Sequence, residues 1–205
     1  MSNVTQTPVK LILASGSPRR KELLEQIGVL FQVHSADIDE SVLPGESPQS
    51  YVARLSEEKA LAVLQHYPDK VVLAADTSVV VEDQILGKPA DTQDAIDTLK
   101  MLAGQNHQVL TGVSLVSNAG SELGQQKLET IVTTTQVYFL PLSEQDIQGY
   151  VATGEPMDKA GSYGIQGKAA IFVDRIEGSY SNVVGLPLAQ TGMLLKQFGI
   201  AVLSK

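Results

Sequence analysis

The chain has 205 residues, 43% of them hydrophobic and 19% charged, which is enough for a substantial core and too apolar for extended disorder. A net charge of −8 excludes the diffuse basic surface that nucleic acid or an anionic membrane requires, so only a local basic pocket is compatible with anion binding. With no cysteine, disulfides, thiolate nucleophiles and cysteine-bound zinc are excluded too. The first ten residues carry no apolar core of signal-peptide length, and no run approaches ~20 apolar residues, so a cytoplasmic protein without a membrane span is expected. One domain spanning residues 1–205 is expected, with residues 1–8 flexible.

Val9 to Ala14 reads as a buried strand. Ser17 is placed to cap the next helix, with Pro18 at its first position and Gly28 at its end. Within Ser15-Gly16-Ser17-Pro18-Arg19-Arg20 two guanidinium groups adjoin a helix N-terminus, a combination suited to a multiply charged anion. Phe31 and Val33 alternate as a second strand would, and an acidic loop, Asp37-Ile38-Asp39-Glu40, follows.

Ser47-Pro48 opens a helix to about Tyr67, with Val52, Leu55, Ala62 and Val63 on one face. Lys59 shares that face. It either snorkels to the rim or delivers a cation into a cleft. Val71 to Val81 is the most apolar window, interrupted by Asp76 and Thr77. An unpaired carboxylate there would cost several kcal/mol in desolvation, so Asp76 is expected at a strand end beside a cation or metal. Glu82-Asp83-Gln84 reads as a hairpin turn leading to Ile85-Leu86-Gly87-Lys88-Pro89.

Asp91, with Asp94 three residues on, caps a helix to Leu102 that Gly104 stops. Val109–Ser117 and Thr130–Leu140 read as strands joined by a polar loop. Ser143 with Asp146 opens a helix to about Thr153. Gly154 to Lys168 is a long loop containing Gly-Ser-Tyr-Gly-Ile-Gln-Gly. Ala169–Ile176 reads as a strand and Pro187–Phe198 as the last helix. Interleaved helices and strands, with both a hairpin and crossover-length helices, predict an α/β fold with a mixed sheet.

The familiar nucleotide motifs are missing. There is no phosphate-binding loop of the G-x-x-x-x-G-K-[ST] type, and the late glycine-rich stretch precedes a strand rather than a helix. His34, His66 and His107 lack ligand spacing and read as surface or loop residues. Ser15 and Ser17 are not in a nucleophile elbow and read better as phosphate-binding hydroxyls. What remains is a set of opposite charges: Arg19, Arg20, Lys59 and Lys88 against Glu40 and Asp76. A magnesium-bound polyphosphate needs both signs, carboxylates for the hard cation and bases for the phosphate oxygens. A carboxylate not spent on metal is free to activate water. By spacing alone, the reading as solvated surface charges stays open.

Five blocks narrow it. Ser15–Leu24 (S-G-S-P-R-R-K-E-L-L), Ala75-Asp76-Thr77, Gly87-Lys88-Pro89, Asp158–Gly167 (D-K-A-G-S-Y-G-I-Q-G) and Val183–Leu188 (V-V-G-L-P-L) together resemble the Maf family of nucleoside triphosphate pyrophosphatases. The resemblance runs in order from about residue 9 to about residue 200. It implies a fold similar to that of the inosine triphosphate pyrophosphatases: an elongated mixed sheet with flanking helices and two lobes around a central cleft. It also implies hydrolysis of a nucleoside triphosphate between the α- and β-phosphates to NMP and pyrophosphate, with Mg²⁺ or Mn²⁺ as cofactor. Asp76 matches the family's proton acceptor; Arg19, Thr77 and Gln166 match positions that govern base selection; Ser15, Arg20, Glu40, Lys59 and Lys88 match other cleft residues. On this reading Asp76, Lys59 and Glu40 form the catalytic set. Glu40 and Asp76 are the metal ligands, and Ser15, Arg19, Arg20, Thr77, Lys88 and Gln166 bind substrate. Pro18-Arg19-Arg20, the A-D-T and S-Y-G-I-Q-G resemble the branch acting on dTTP and UTP. The alternatives are the 7-methyl-GTP branch, another modified nucleotide, or a non-catalytic nucleotide-binding regulator of cell division. A homodimer is a further implication; nucleic acid and membrane are not expected partners.

Overall fold

A computed structural model describes residues 10–118 and 126–203. The expected flexibility of residues 1–8, and most of the polar loop after Ser117, lie outside the described residues. The elements are β1 (Leu11–Leu13), α1 (Pro18–Gln26), β2 (Phe31–Val33), α2 (Pro48–Leu64), β3 (Val71–Val81), β4 (Gln84–Leu86), α3 (Thr92–Leu102), β5 (Asn106–Ser117), β6 (Lys127–Phe139), α4 (Glu144–Val151), β7 (Val173–Glu177), α5 (Tyr180–Val184) and α6 (Leu188–Gln197). The strands form a mixed sheet in the order β2-β1-β3-β5-β6-β7, with β4 also on β3. β1 is parallel to β2 and to β3; all other pairings are antiparallel. The expected mixed α/β architecture is therefore the observed one.

Side-chain alternation along β3 divides the core into two faces. Even-numbered residues Val72, Ala74 and Val80 meet α2 through Val52, Leu55, Ala60, Val63 and Leu64. Odd-numbered residues Leu73 and Ala75 pack on Leu23 and Leu24 of α1, Val184 of α5 and Leu194 and Leu195 of α6. Further along that face, Val79 and Val81 pack with Leu99 of α3 and Ile147 and Tyr150 of α4. The odd face thus carries two separate cores, and the gap between them is where a cleft forms.

One contact sets how closely α2 approaches. Gly112 of β5 pairs with Asp76, so both project toward α2. A Cβ added to Gly112 would stand 2.2 Å from the Val52 carbonyl oxygen. The bare glycine lets the α2 backbone rest on the sheet beside Asp76.

Most caps form as the sequence indicates. Ser47, Asp91 and Ser143 accept from the backbone N–H three residues on, and Asp146 closes a capping box with Ser143. Glu82 and Asp83 turn β3 into β4 with φ of 45° and 63°, the two positive values that a type I′ hairpin requires.

Several expectations are corrected. Ser17 makes no side-chain cap; its N–H instead donates to Ser15 Oγ at 3.2 Å. The second helix stops at Leu64 rather than Tyr67, and Ala62 is only half-buried while Ala60 takes its place in the stripe. Ala169–Ile176 is not one strand: a 3₁₀ turn at Lys168–Phe172 precedes β7. Two more 3₁₀ turns, Glu155–Asp158 and Ala160–Ser162, order the segment read as a long loop. Ser179 caps α5, which was not expected because five residues are too few for helical periodicity to register. His107 is not a surface or loop residue: it lies in β5 at 2% exposure, with Phe139 and Tyr163 edge-on to its ring.

Candidate active site

The strand β3 is paired on one side by β5 along residues 71–80. On its other side β1 pairs only residues 71–73 and β4 only residues 79–81. Between those two stretches no strand covers residues 74–78, and a cleft of about 690 Å³ opens there. Asp76 therefore stands mid-strand, not at a strand end; it reaches the cleft because its neighbouring strand has ended.

All nine residues singled out from the sequence line this cleft: Ser15, Arg19, Arg20, Glu40, Lys59, Asp76, Thr77, Lys88 and Gln166. Five basic and four acidic side chains face it, since Lys159, Glu155 and Asp158 are added. A slightly basic pocket thus sits in a chain of net charge −8, enough to favour a polyanion locally.

On the α2 face, Lys59 projects from the buried stripe of the helix onto the sheet. Its Nζ lies 2.8 Å from Asp76 Oδ1 and 2.7 Å from Glu40 Oε1. Lys59 and Asp76 are both buried, whereas the Glu40 side chain is about half exposed. Of the two readings for Lys59, the cation in the cleft is the observed one. The Tyr51 hydroxyl donates to the Glu40 carbonyl oxygen at 2.9 Å, fixing the acidic loop over the site. Burial, and then the charges of Asp76 and Glu40, push the Tyr51 phenol up to about 12.

On the opposite face, each of the three guanidinium nitrogens of Arg20 donates a hydrogen bond. Its Nε donates to the Gly185 carbonyl at 2.9 Å, Nη1 to Ser15 Oγ at 3.2 Å and Nη2 to Thr77 Oγ1 at 3.1 Å. Burial lowers its pKa, opposed by the charge of Asp76, and an arginine so placed keeps its charge. Arg19 differs: its side chain is a third exposed and has a loose ion pair with Asp158 at 3.8 Å. Arg20 is built into the wall, while Arg19 lines the cleft with only that loose ion pair to hold it. Lys88 and Gln166 are exposed at the rim.

Several residues were not foreseen. Lys159 Nζ donates to Asp158 Oδ1 and to the Glu155 carbonyl, both at 2.6 Å, and this lysine holds the Asp158 carboxyl below its ordinary pKa. Glu155 accepts from the Tyr150 hydroxyl at 3.0 Å and the Lys168 N–H at 3.0 Å. Gly167 lies against its carboxylate, where a Cβ would stand 2.0 Å from Oε1. Glu155 thereby anchors the loop that presents Gln166. Tyr163, which lines the cleft, bonds His107 Nε2 at 2.7 Å. Asp158, Lys159 and Tyr163 lie within a quoted motif and so were within reach of the sequence; Glu155 had no signal beyond proximity.

Among the described residues no helix is long and apolar enough to cross a membrane. Comparison with known proteins gives a consistent result. The model of the Maf-like protein family matches residues 10–198. The chain is 52% identical to a dTTP/UTP pyrophosphatase of Hahella chejuensis over 95% of each chain. It is 53% identical to one of Anaeromyxobacter dehalogenans, covering 93% of this chain and 94% of that one. A solved HAM1 protein from Coxiella burnetii is 15% identical and superposes with a TM-score of 0.48, covering 93% of this chain and all of that one, too distant a likeness to carry an argument. The matches over nearly the whole length establish that this chain belongs to the Maf-like protein family.

Proposed function

We propose that this chain hydrolyses dTTP and UTP to the corresponding NMP and pyrophosphate. The observation that carries the reading is the Glu40–Lys59–Asp76 cluster facing Arg19 and the Ser15–Arg20 corner across one cleft. Relatives about half identical over nearly their full length, named dTTP/UTP pyrophosphatases, support it.

A divalent cation fits the donors at hand. Glu40 and Asp76 offer hard carboxylate oxygens, and among the described residues no group of three or more acidic or histidine side chains could form a dedicated metal cage. Two carboxylates are what magnesium takes when substrate phosphates and water complete its shell. When bound, the ion would neutralise phosphate oxygens and stabilise charge on the leaving pyrophosphate.

The chain's own residues do the rest. Arg19 and Lys88 meet the triphosphate, and the Ser15 hydroxyl donates to a phosphate oxygen. Lys59 holds Asp76 through Oδ1, leaving Oδ2 to take a proton from the attacking water. The water oxygen bonds to the α-phosphorus as the bond to the α–β bridging oxygen breaks, and pyrophosphate departs with that oxygen. Thr77 and Gln166 hydrogen-bond the pyrimidine edge shared by uracil and thymine. The same reading expects a cytoplasmic enzyme, since its substrates are made there, and a homodimer as in the family it resembles.

The test is a panel of dTTP, UTP, CTP and 7-methyl-GTP with Mg²⁺, Mn²⁺ or EDTA, scored for NMP and pyrophosphate. We expect dTTP and UTP to be turned over at least tenfold faster than the others, with metal only. Release of inorganic phosphate, or turnover of 7-methyl-GTP alone, overturns the reading.

A further inference from the structure

Thr77 and Ser15 both bond Arg20, yet their hydroxyl protons are committed differently. A hydroxyl has one proton to donate and two lone pairs to accept with. Ser15 Oγ accepts twice, from Arg20 Nη1 and from the Ser17 N–H, each at 3.2 Å. Its proton is left for a ligand, which suits a phosphate oxygen. Thr77 Oγ1 accepts from Arg20 Nη2 at 3.1 Å. It also lies 3.0 Å from Thr111 Oγ1, which donates to the Asn182 carbonyl at 3.2 Å.

The Asn182 carbonyl can only accept; when it takes the Thr111 proton, the 3.0 Å contact between the two hydroxyls is bridged by the Thr77 proton. The other arrangement sends the Thr77 proton to the Gly185 carbonyl at 3.5 Å, and this too directs it inward. Thr111 and Asn182 are completely buried. Asn182 is held in turn by its Nδ2, which donates to the Val109 carbonyl at 2.9 Å and to Thr135 Oγ1 at 3.0 Å. With the Thr111 proton on Asn182, the bonds run from Arg20 to Thr77 to Thr111 to Asn182.

We infer that Thr111 is a positioning residue for base selection, which fixes the Thr77 hydroxyl so that it presents only a lone pair to the cleft. This rests on the dTTP/UTP reading above. Toward a nucleobase Thr77 then acts as acceptor, and the partner it selects is an N–H donor. Uracil and thymine carry a proton on N3, whereas cytosine offers a lone pair there. Two lone pairs facing each other leave both groups unpaired in a half-buried site. Cytosine is accepted only by breaking the inward Thr77–Thr111–Asn182 arrangement.

The experiment measures kcat/KM for UTP and CTP in the wild type and in Thr111→Val and Thr111→Ser. Valine keeps the shape and removes the hydroxyl, so the Thr77 proton keeps only its 3.5 Å contact with Gly185 and can turn outward. We expect the UTP-to-CTP ratio to fall roughly five- to tenfold in Thr111→Val, the worth of about one neutral hydrogen bond, and to return in Thr111→Ser. An unchanged ratio, or equal losses on both substrates, overturns the inference while leaving the dTTP/UTP reading intact. The wild type supplies an independent check should the valine variant not fold. If it hydrolyses CTP as readily as UTP, the inference is wrong. If it hydrolyses neither UTP nor dTTP, the dTTP/UTP reading fails first.

Discussion

Adjacent residues of one strand, Asp76 and Thr77, project to opposite faces of the sheet and meet different kinds of chemistry. The α2 face has full charges in close contact, Lys59 between two carboxylates at 2.7 and 2.8 Å. On the other face Arg20 is set among hydroxyls, carbonyls and amides, Thr77, Thr111, Gly185 and Asn182, with Arg19 beside it on α1. Charges act strongly on a phosphoryl centre where charge moves. Neutral groups with fixed directions discriminate between nucleobases that differ by one donor or acceptor. On the reading proposed above, splitting the two tasks across the sheet lets each wall be tuned apart from the other, and the gap in strand pairing at residues 74–78 lets both reach one cleft.

The division can be broken first at Asp76. Asp76→Asn keeps the shape and removes the proposed base, so kcat is expected to fall about 10³-fold for every nucleotide, with the UTP-to-CTP ratio preserved. Steady-state kinetics on both substrates decide it; wild-type turnover in the variant removes Asp76 as the base.

Gly112→Ala tests the same face from behind. The new methyl group would overlap the Val52 carbonyl, so α2 must move and carry Lys59 off Asp76. A stability loss of about 1–3 kcal/mol in urea melts is expected from the overpacking, together with a drop in kcat that is uniform across nucleotides. An effect on the UTP-to-CTP ratio would mean the two faces are not separable.

The smallest effect belongs to the other face. Burial pushes the His107 imidazole down to about 4 from an ordinary 6.5, so the folded chain keeps it neutral while the unfolded chain takes up a proton below 6.5. The unfolded state then binds more protons, and stability falls as pH drops from about 6.5 to about 4, by about 1.4 kcal/mol per pH unit at most. Between pH 7 and pH 5.5 urea melts should show roughly 1 kcal/mol of loss from this residue, and His107→Gln should lack that share. Catalysis on the α2 face should not follow this dependence.

Strands and helices of ordinary length were legible because their patterns repeat. The eleven-residue β3, the caps at Ser47, Asp91 and Ser143, and the turn at Glu82-Asp83 follow from a continuous apolar run, cap chemistry and turn residues. The short elements were not: α5 and the 3₁₀ turns at Glu155–Asp158 and Lys168–Phe172 are too brief to show a period, and tertiary packing fixes them. At the site, the motif blocks together with the set of opposite charges pointed to nine residues that the fold gathers in one cleft. Thr111 and Asn182 went unnoticed because a threonine in an apolar strand and an asparagine in a short helix look ordinary until their partners are seen.

By itself the sequence determined the mixed α/β class, the family, and the basic character of the Ser15–Arg20 corner, because patterning, motif order and charge are properties of the chain. Only the tertiary structure decided that Lys59 enters the cleft instead of leaving it, and that Asp76 is reached mid-strand. It also decided which arginine is built into the wall and which is only loosely paired. Each of those depends on where a neighbouring strand stops or how near a helix can lie, distances set by contacts such as Gly112 against Val52.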